Sequence, residues 1–169
     1  MYFNKPQIAV VLSAFDAAES LVGRYFKLSS ADQKSNRYDI RTLAHLDAHE
    51  VDKGAFAYLC RYLVCKEKDQ DNPSGFYFYR VCLQDDRILD AVTRGRNFIK
   101  LFPLLLYIAT HELIHIVRFG RGESDFNAPP GEKMKEEERV HGITRAILQS
   151  RENSGLGLVI ECFRNQYKI

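Results

Sequence analysis

The sequence lacks a strong charge of either sign. Its 24 lysine and arginine residues nearly balance 22 aspartate and glutamate residues, so the formal net charge of the 169-residue chain is +2. The basic residues are spread along the chain, which gives no positive patch for nucleic acid, and we expect neither DNA nor RNA as a partner. Hydrophobic residues make up 46% and charged residues 27%, as in ordinary globular proteins, which excludes the disordered and fibrous classes.

Long apolar runs and cysteines are also scarce. Residues 1–7 lack the basic start of a signal peptide, and the apolar run from Leu101 to Thr110 is too short to span a bilayer. We therefore expect a cytoplasmic protein without a membrane partner. The cysteines form neither CxxC pairs nor a disulfide scaffold, and we expect all four to be small buried side chains in a reducing compartment: Cys60, Cys65, Cys82 and Cys162.

The spacing of apolar residues predicts a single domain, residues 1–169, built mostly from helices. A chain of this length is large enough to bury one core. Apolar residues recur at helical spacing from Ile8 to Phe26, and a second helix is expected from Ile40 to about Lys66. Three further helices are predicted at 87–100, 104–119 and 132–149, with Pro103 and Gly120 marking two of their boundaries.

One segment reads clearly as a strand. Residues from Phe76 to Leu83 are rich in aromatic and β-branched side chains and lie between turn residues. The segment from Leu156 to Phe163 has a similar character and could pair with it, with a terminal helix as the alternative. The predicted fold is therefore α+β, predominantly helical, with five to six helices and a small two-stranded antiparallel element. An all-α bundle is the alternative.

The segment Thr110-His-Glu-Leu-Ile-His115 is the most informative part of the chain. Histidines four residues apart project from one face of a helix, so His111 and His115 can both reach a single metal ion. In a hydrolytic site such imidazoles hold Zn²⁺, while the intervening glutamate, here Glu112, takes a proton from water and later delivers it to the leaving group. The uncharged flanks indicate a buried helix, where unpaired histidine and glutamate side chains are costly.

A zinc site with two histidine ligands needs at least one more protein ligand. On the helix predicted at 132–149, Glu137 lies nearer the centre of the inward-facing apolar stripe than Glu138 and is the first choice for the third metal ligand. Glu136 is a further candidate for that ligand. His141 lies one turn beyond Glu137, where it can act as a further ligand or as a hydrogen-bond partner of the ligands. Glu112 is the candidate catalytic residue, and the candidate metal-binding residues are His111, His115, Glu137, Glu138 and His141.

These residues resemble the extended HExxH signature of the zincin metallopeptidases. A glutamate on a separate downstream helix resembles the gluzincin branch, and the arrangement is also similar to the small metallopeptidase-like domains of the ImmA and IrrE group. The resemblance covers roughly residues 104–148. It implies a zinc-dependent hydrolase of the peptidase type that acts on a peptide or small-molecule substrate still to be identified.

The same region supports a competing hypothesis. Glu112 to His115 and Glu138 to His141 are two Glu-x-x-His units, from which ferritin-like bundles build dinuclear iron or manganese sites. Glu19, which interrupts the apolar stripe of the first helix, and Glu50 could complete such a set. Only 22 residues separate His115 from Glu138, which is short for that fold. A non-catalytic metal-binding module is the third hypothesis.

A second histidine pair lies upstream. His45 and His49 are four residues apart in the predicted second helix, and with the other three they account for the five histidines of the chain. A second metal site is one interpretation of this pair. The other is an exposed or core-edge pair that binds nothing.

Overall fold

The computed structural model describes residues 1–65, 75–96, 98–149 and 154–164. Three strands form one sheet: β1 Tyr38–Thr42, β2 Ala57–Cys65 and β3 Gly75–Leu83. Two short 3-10 helices, Leu43–His45 and Ala48–Glu50, lie between β1 and β2. The α-helices of the described residues are α1 Lys5–Tyr25, α2 Ser30–Ser35, α3 Asp85–Arg94, α4 Leu101–Gly120, α5 Pro130–Gln149 and α6 Ser154–Cys162. The prediction of a predominantly helical α+β protein with five to six helices is confirmed, and the all-α alternative is wrong.

The sheet differs from the prediction. Its strand order is β1-β3-β2, with β1 parallel and β2 antiparallel to β3, so it is a three-stranded mixed sheet and not a two-stranded antiparallel element. The helix predicted from Ile40 to about Lys66 is wrong, because this segment forms β1, the two 3-10 helices and β2. Successive side chains of β2 project from opposite faces of the sheet. The leucines and alanines upstream of β2 suggested a helical period instead.

The C-terminal segment is a helix and not the partner of β3. In α6 and the turn after it, the buried side chains recur at intervals of three and four residues, which is the period of an amphipathic helix. Phe163 stacks on Tyr107 of α4, with ring centroids 4.6 Å apart. The side chains that fix this helix against the core are Leu156, Val159, Ile160 and Phe163.

Helix α1 is fixed at its start by local hydrogen bonds. The Asn4 side chain accepts a hydrogen bond from the Gln7 backbone N–H (3.0 Å), and the Gln7 side chain accepts one from the Asn4 N–H (2.9 Å). This reciprocal cap satisfies two backbone donors at the helix end. The helix then buries a stripe that includes Val11, Phe15 and Val22 against the core.

Helix α4 is the centre of the molecule. It contacts α1, α3, α5, α6 and β2, and its residues from Pro103 to Arg118 are buried. The helix has 20 residues, ten more than the apolar run from Leu101 to Thr110, and by length and composition it could cross a membrane. However, 89% of its most apolar window is buried inside the protein, which is consistent with the core helix of a soluble protein.

The face of the sheet opposite α4 carries a buried polar network. Tyr79, Val81 and Leu83 of β3 belong to the hydrophobic core, so Arg80 between them projects from the other face. The Arg80 guanidinium pairs with Asp39 of β1 (Nε to Oδ1, 2.9 Å) and with Glu50 (Nη1 to Oε1, 2.9 Å). The Tyr62 hydroxyl also donates to Glu50, at 2.5 Å. The network thus connects all three strands with the second 3-10 helix.

Glu50 makes a pH-dependent contribution to stability. Burial tends to raise the pKa of its carboxyl, but hydrogen bonds from Tyr62, the Asp47 N–H and Arg80 outweigh burial and lower the pKa from 4.5 to about 2. Because the folded pKa is the lower one, Glu50 stabilises the fold above pH 4.5 and loses this effect as the pH falls from 4.5 to 2. Glu50→Gln should lower the free energy of unfolding at pH 7 by about 3 kcal/mol, as expected when one partner of a buried ion pair is removed.

Urea denaturation at pH 7, 4 and 3 measures this effect. The difference in unfolding free energy between the wild-type protein and Glu50→Gln should shrink towards the acid end of the series. Glu132→Gln, an exposed glutamate of α5, is the matched control and should follow the wild-type curve. A constant difference at all three pH values would show that the Glu50 charge contributes nothing.

The cysteines divide into two kinds. Cys60 and Cys82 are buried, with their sulfur atoms 3.9 Å apart, whereas Cys65 and Cys162 are exposed, so the expectation that all four are buried is wrong for two. Glu50, Cys60 and Cys82 hold possible ligand atoms within 4.8 Å of one another. However, the Glu50 carboxylate is already bonded to Tyr62 and Arg80, and burial raises the pKa of both buried thiols. These thiols are therefore protonated, which disfavours metal binding.

Candidate metal centre

Helix α4 presents two buried histidines side by side. His111 and His115 are 2% and 6% exposed, and their Nε2 atoms lie 3.1 Å apart. This proximity follows from the helix, since residues four apart lie one above the other on the same face. The His115 ring also stacks on Phe119 one turn later, with ring centroids 5.7 Å apart, so its imidazole is held in place.

Helix α5 brings one carboxylate to this pair. Glu137 Oε2 lies 3.2 Å from His111 Nε2, and Glu137 Oε1 lies 3.2 Å from His115 Nε2. Its two neighbours in sequence point elsewhere: Glu138 is exposed, and Glu136 pairs with Arg118. Glu137 is therefore the glutamate of the three that contacts both histidines.

The spacing of these atoms matches the requirement of a zinc ion. Two ligand atoms, each about 2.0–2.1 Å from zinc at the tetrahedral angle, lie about 3.3 Å apart. His111 Nε2 and His115 Nε2 lie 3.1 Å apart, and each lies 3.2 Å from a different oxygen of Glu137. Two imidazole nitrogens and one carboxylate oxygen are also a known ligand set for catalytic zinc. The residues present thus fit a zinc ion.

Electrostatics act differently on the three side chains. Burial tends to lower the pKa of His115, but its hydrogen bond to Glu137 and the charge of that carboxylate raise it above its ordinary value. Burial lowers the pKa of His111 to about 3, against a weaker opposing effect of Glu137. Burial tends to raise the pKa of Glu137, but hydrogen bonds from both histidines hold it well below its ordinary value. At neutral pH His111 is neutral and Glu137 is ionised, the forms in which a histidine and a carboxylate act as ligands.

Glu112 lies on the same helix and has a different environment. It is 5% exposed, and burial raises its pKa from 4.5 to about 7, with His115 opposing and Glu137 adding to the shift. A carboxylate with a pKa near the working pH can both accept and return a proton. Perturbed pKa values of this kind are typical of catalytic groups.

A further histidine lies behind the pair. The His141 ring centroid is 4.6 Å from that of His111, and His141 Nδ1 is 2.8 Å from the Tyr107 hydroxyl. Possible ligand atoms of His111, Glu137 and His141 lie within 4.8 Å of one another. Among the described residues, the buried side-chain nitrogen and oxygen atoms without a hydrogen-bond partner are His111 Nδ1, His115 Nδ1 and His141 Nε2.

A buried ion pair aligns α5 with α4. Arg118 donates to both carboxylate oxygens of Glu136, at 2.6 and 3.0 Å, and also contacts Glu123 at 2.5 Å. Such bidentate pairs are geometrically specific. The pair fixes the backbone next to Glu137 and so positions its carboxylate. Sequence reasoning missed this role, although an arginine within a buried apolar helix was a usable signal.

The site opens into a cleft of about 560 Å³. His111, Glu112, His115 and Glu137 line it on one side. Strand β2, for which the sequence predicted a helix, contributes Ala57, Tyr58 and Leu59 to the lining and is an edge strand in the described part of the sheet. Further apolar side chains of the lining are Phe119, Phe126 and Met134.

The other predicted residues lie away from this centre. Glu19 hydrogen-bonds to Tyr38 and lies beside Leu113 and Val117, which project from the opposite side of α4 to His111 and His115. Glu50 lies in the network on the far face of the sheet. The dinuclear hypothesis requires the Glu19 and Glu50 carboxylates to lie near His115. The structure brings neither of them there.

The upstream histidines do not share a helix. His45 and His49 belong to two separate 3-10 helices, and His49 Nε2 lies 3.0 Å from the Tyr62 hydroxyl. The i, i+4 geometry expected for them is therefore wrong.

Comparison of the chain with models of protein families, with curated proteins and with solved structures gave no match.

Proposed function

We propose that this protein is a zincin-like, zinc-dependent hydrolase of the peptidase type. The observation that carries the proposal is the convergence of His111 Nε2, His115 Nε2 and the Glu137 carboxylate at 3.1–3.2 Å. Three protein ligands leave a fourth position open, as catalytic zinc sites do. Zn²⁺ is thus the proposed cofactor, and iron or manganese is the alternative.

Glu112 is the proposed general base. When bound, zinc lowers the pKa of water and polarises a substrate carbonyl. The Glu112 carboxylate accepts the proton of the attacking water and returns it to the leaving amine. Its burial supports this role in two ways, since it excludes competing solvent and keeps the carboxyl pKa near 7.

The cleft supports a peptide as the substrate. The backbone of an edge strand can pair with an extended peptide, and Ala57, Tyr58 and Leu59 of β2 line the same cleft as the histidines. The apolar wall of Leu59, Phe119, Phe126 and Met134 suits an apolar side chain next to the cleaved bond. The free cysteines and the buried α4 support a location in the cytoplasm.

Metal content and hydrolysis together test the proposal. The protein is purified with no added metal, stripped with a chelator, loaded with zinc, iron or manganese, and analysed for metal. Cleavage of a library of unstructured peptides is then followed by mass spectrometry. We expect about one zinc per chain and new peptide termini that disappear on chelation.

The other outcomes identify the competing hypotheses. Two irons or two manganese ions per chain would support a dinuclear protein. One zinc without any cleavage would support a non-catalytic module. A chain that binds none of the three metals would overturn the proposal.

A further inference from the structure

Two of the buried nitrogens without a partner belong to neighbouring rings. His111 Nδ1 and His141 Nε2 each lack a hydrogen bond, and the two rings lie 4.6 Å apart and are tilted by 56°. His111 and His141 are 2% and 1% exposed, so water does not compensate readily for the missing bonds. An unsatisfied buried polar atom is costly, which makes two such atoms in adjacent rings informative.

The protonation pattern of His111 follows from its position in the site. His111 Nε2 faces His115 and Glu137, so in the proposed metal centre this atom offers its lone pair to the ion. A neutral imidazole carries one hydrogen, which must then reside on Nδ1. His111 Nδ1–H therefore needs an acceptor, and metal-bound histidines almost always have one.

His141 can supply that acceptor. Its Nδ1 lies 2.8 Å from the Tyr107 hydroxyl, where it can donate to the phenol oxygen. In that tautomer His141 Nε2 carries the lone pair and can accept the hydrogen of His111 Nδ1. A hydrogen bond between the two neighbouring rings would satisfy both unpartnered atoms together.

We propose that His141 is a positioning residue of the metal centre and not a ligand. It accepts a hydrogen bond from His111 Nδ1, is itself oriented by Tyr107, and so holds His111 Nε2 towards the ion. This inference rests on the proposed metal centre and resolves the two roles that the sequence left open for His141. The cleft lining supports it, since His111, His115 and Glu137 face the cleft while His141 lies beside the fully buried Tyr107.

Zinc affinity of His141 variants tests the proposal. His141→Leu removes the acceptor and should weaken zinc binding about 10- to 100-fold, the usual effect of losing a hydrogen-bond partner of a ligand. His141→Gln places an amide oxygen near the former Nε2 atom and should restore most of this loss. Affinity is measured by competition with a chromophoric chelator, and thermal unfolding of the metal-free variants shows that they remain folded.

The identity of the ligands is measured independently of affinity. X-ray absorption of the zinc-loaded wild-type protein should show two imidazoles on the metal, and His141→Gln should show the same two. His49→Gln, which alters a histidine outside the site, is the matched control and should bind zinc as tightly as the wild-type protein.

Three results would overturn the inference, and they differ from one another. Three imidazoles on zinc in the wild-type protein would make His141 a ligand. Unchanged zinc affinity in His141→Leu would show that His141 has no positioning role. Absence of zinc binding by the wild-type protein would instead reject the metal centre itself, and with it this inference.

Discussion

Replacing Glu112 with glutamine is expected to leave zinc bound and to lower the rate of peptide hydrolysis by about 10²- to 10⁴-fold, the usual contribution of a general base. Glutamine has nearly the same shape as glutamate but cannot take up the proton of the attacking water. The zinc ligands proposed here do not include Glu112, so metal affinity should change little. Rates with the cleaved library peptides and zinc content per chain are the two measurements.

A matched control separates this effect from a general loss of charge. Glu138→Gln removes the same charge from an exposed position on α5 and should keep the wild-type rate. Loss of zinc from Glu112→Gln would identify Glu112 as a ligand. Full activity in Glu112→Gln would show that another group acts as the base.

Replacing Glu137 or His111 with alanine is expected to weaken zinc binding strongly. Structural zinc contributes about 10–16 kcal/mol in small sites, so the loss of one ligand of three corresponds to about 10²- to 10³-fold in affinity or more. Glu137→Ala also removes the carboxylate that contacts both histidines. Chelator competition and metal analysis measure the loss, and hydrolysis should disappear with the zinc.

Glu138→Ala distinguishes the two metal hypotheses. Glu138 neighbours Glu137 in sequence but is exposed, and in the zinc hypothesis its removal should leave metal binding intact. In the dinuclear hypothesis Glu138 belongs to the second Glu-x-x-His unit and its removal should release metal. Loss of metal from Glu138→Ala with retention in Glu137→Ala would contradict the ligand set proposed here.

Local patterns predicted the helices well and the sheet poorly. Helices α1, α4 and α5 follow the apolar period and the capping residues, which are properties of neighbouring residues in sequence. Strand β3 was also found from its composition. The partners of β3 were not, because β1 lies about 40 residues upstream in parallel pairing and the register depends on contacts distant in sequence.

The same distinction applies within the site. The HExxH spacing alone places His111, Glu112 and His115 on one helix face. Helix-face reasoning also selected Glu137 before Glu138, and Glu137 is the residue that contacts both histidines, although metal binding by these residues stays a prediction. The sequence left Glu136 open as a ligand and offered Glu50 only to the dinuclear hypothesis, and the structure pairs each with a distant arginine, Arg118 or Arg80.

The sequence by itself thus determined the residue types of the candidate centre and the helix face that holds them, since both depend on a spacing of four residues. Only the tertiary structure decided which carboxylate meets the two histidines, which strand lines the cleft beside them, and that Tyr107 and His141 lie behind His111. Those facts depend on how α5, β2 and α4 pack, and packing is set by side chains far apart in the chain. The segment Thr110–His115 predicts a metal site, and the fold around it supplies the geometry.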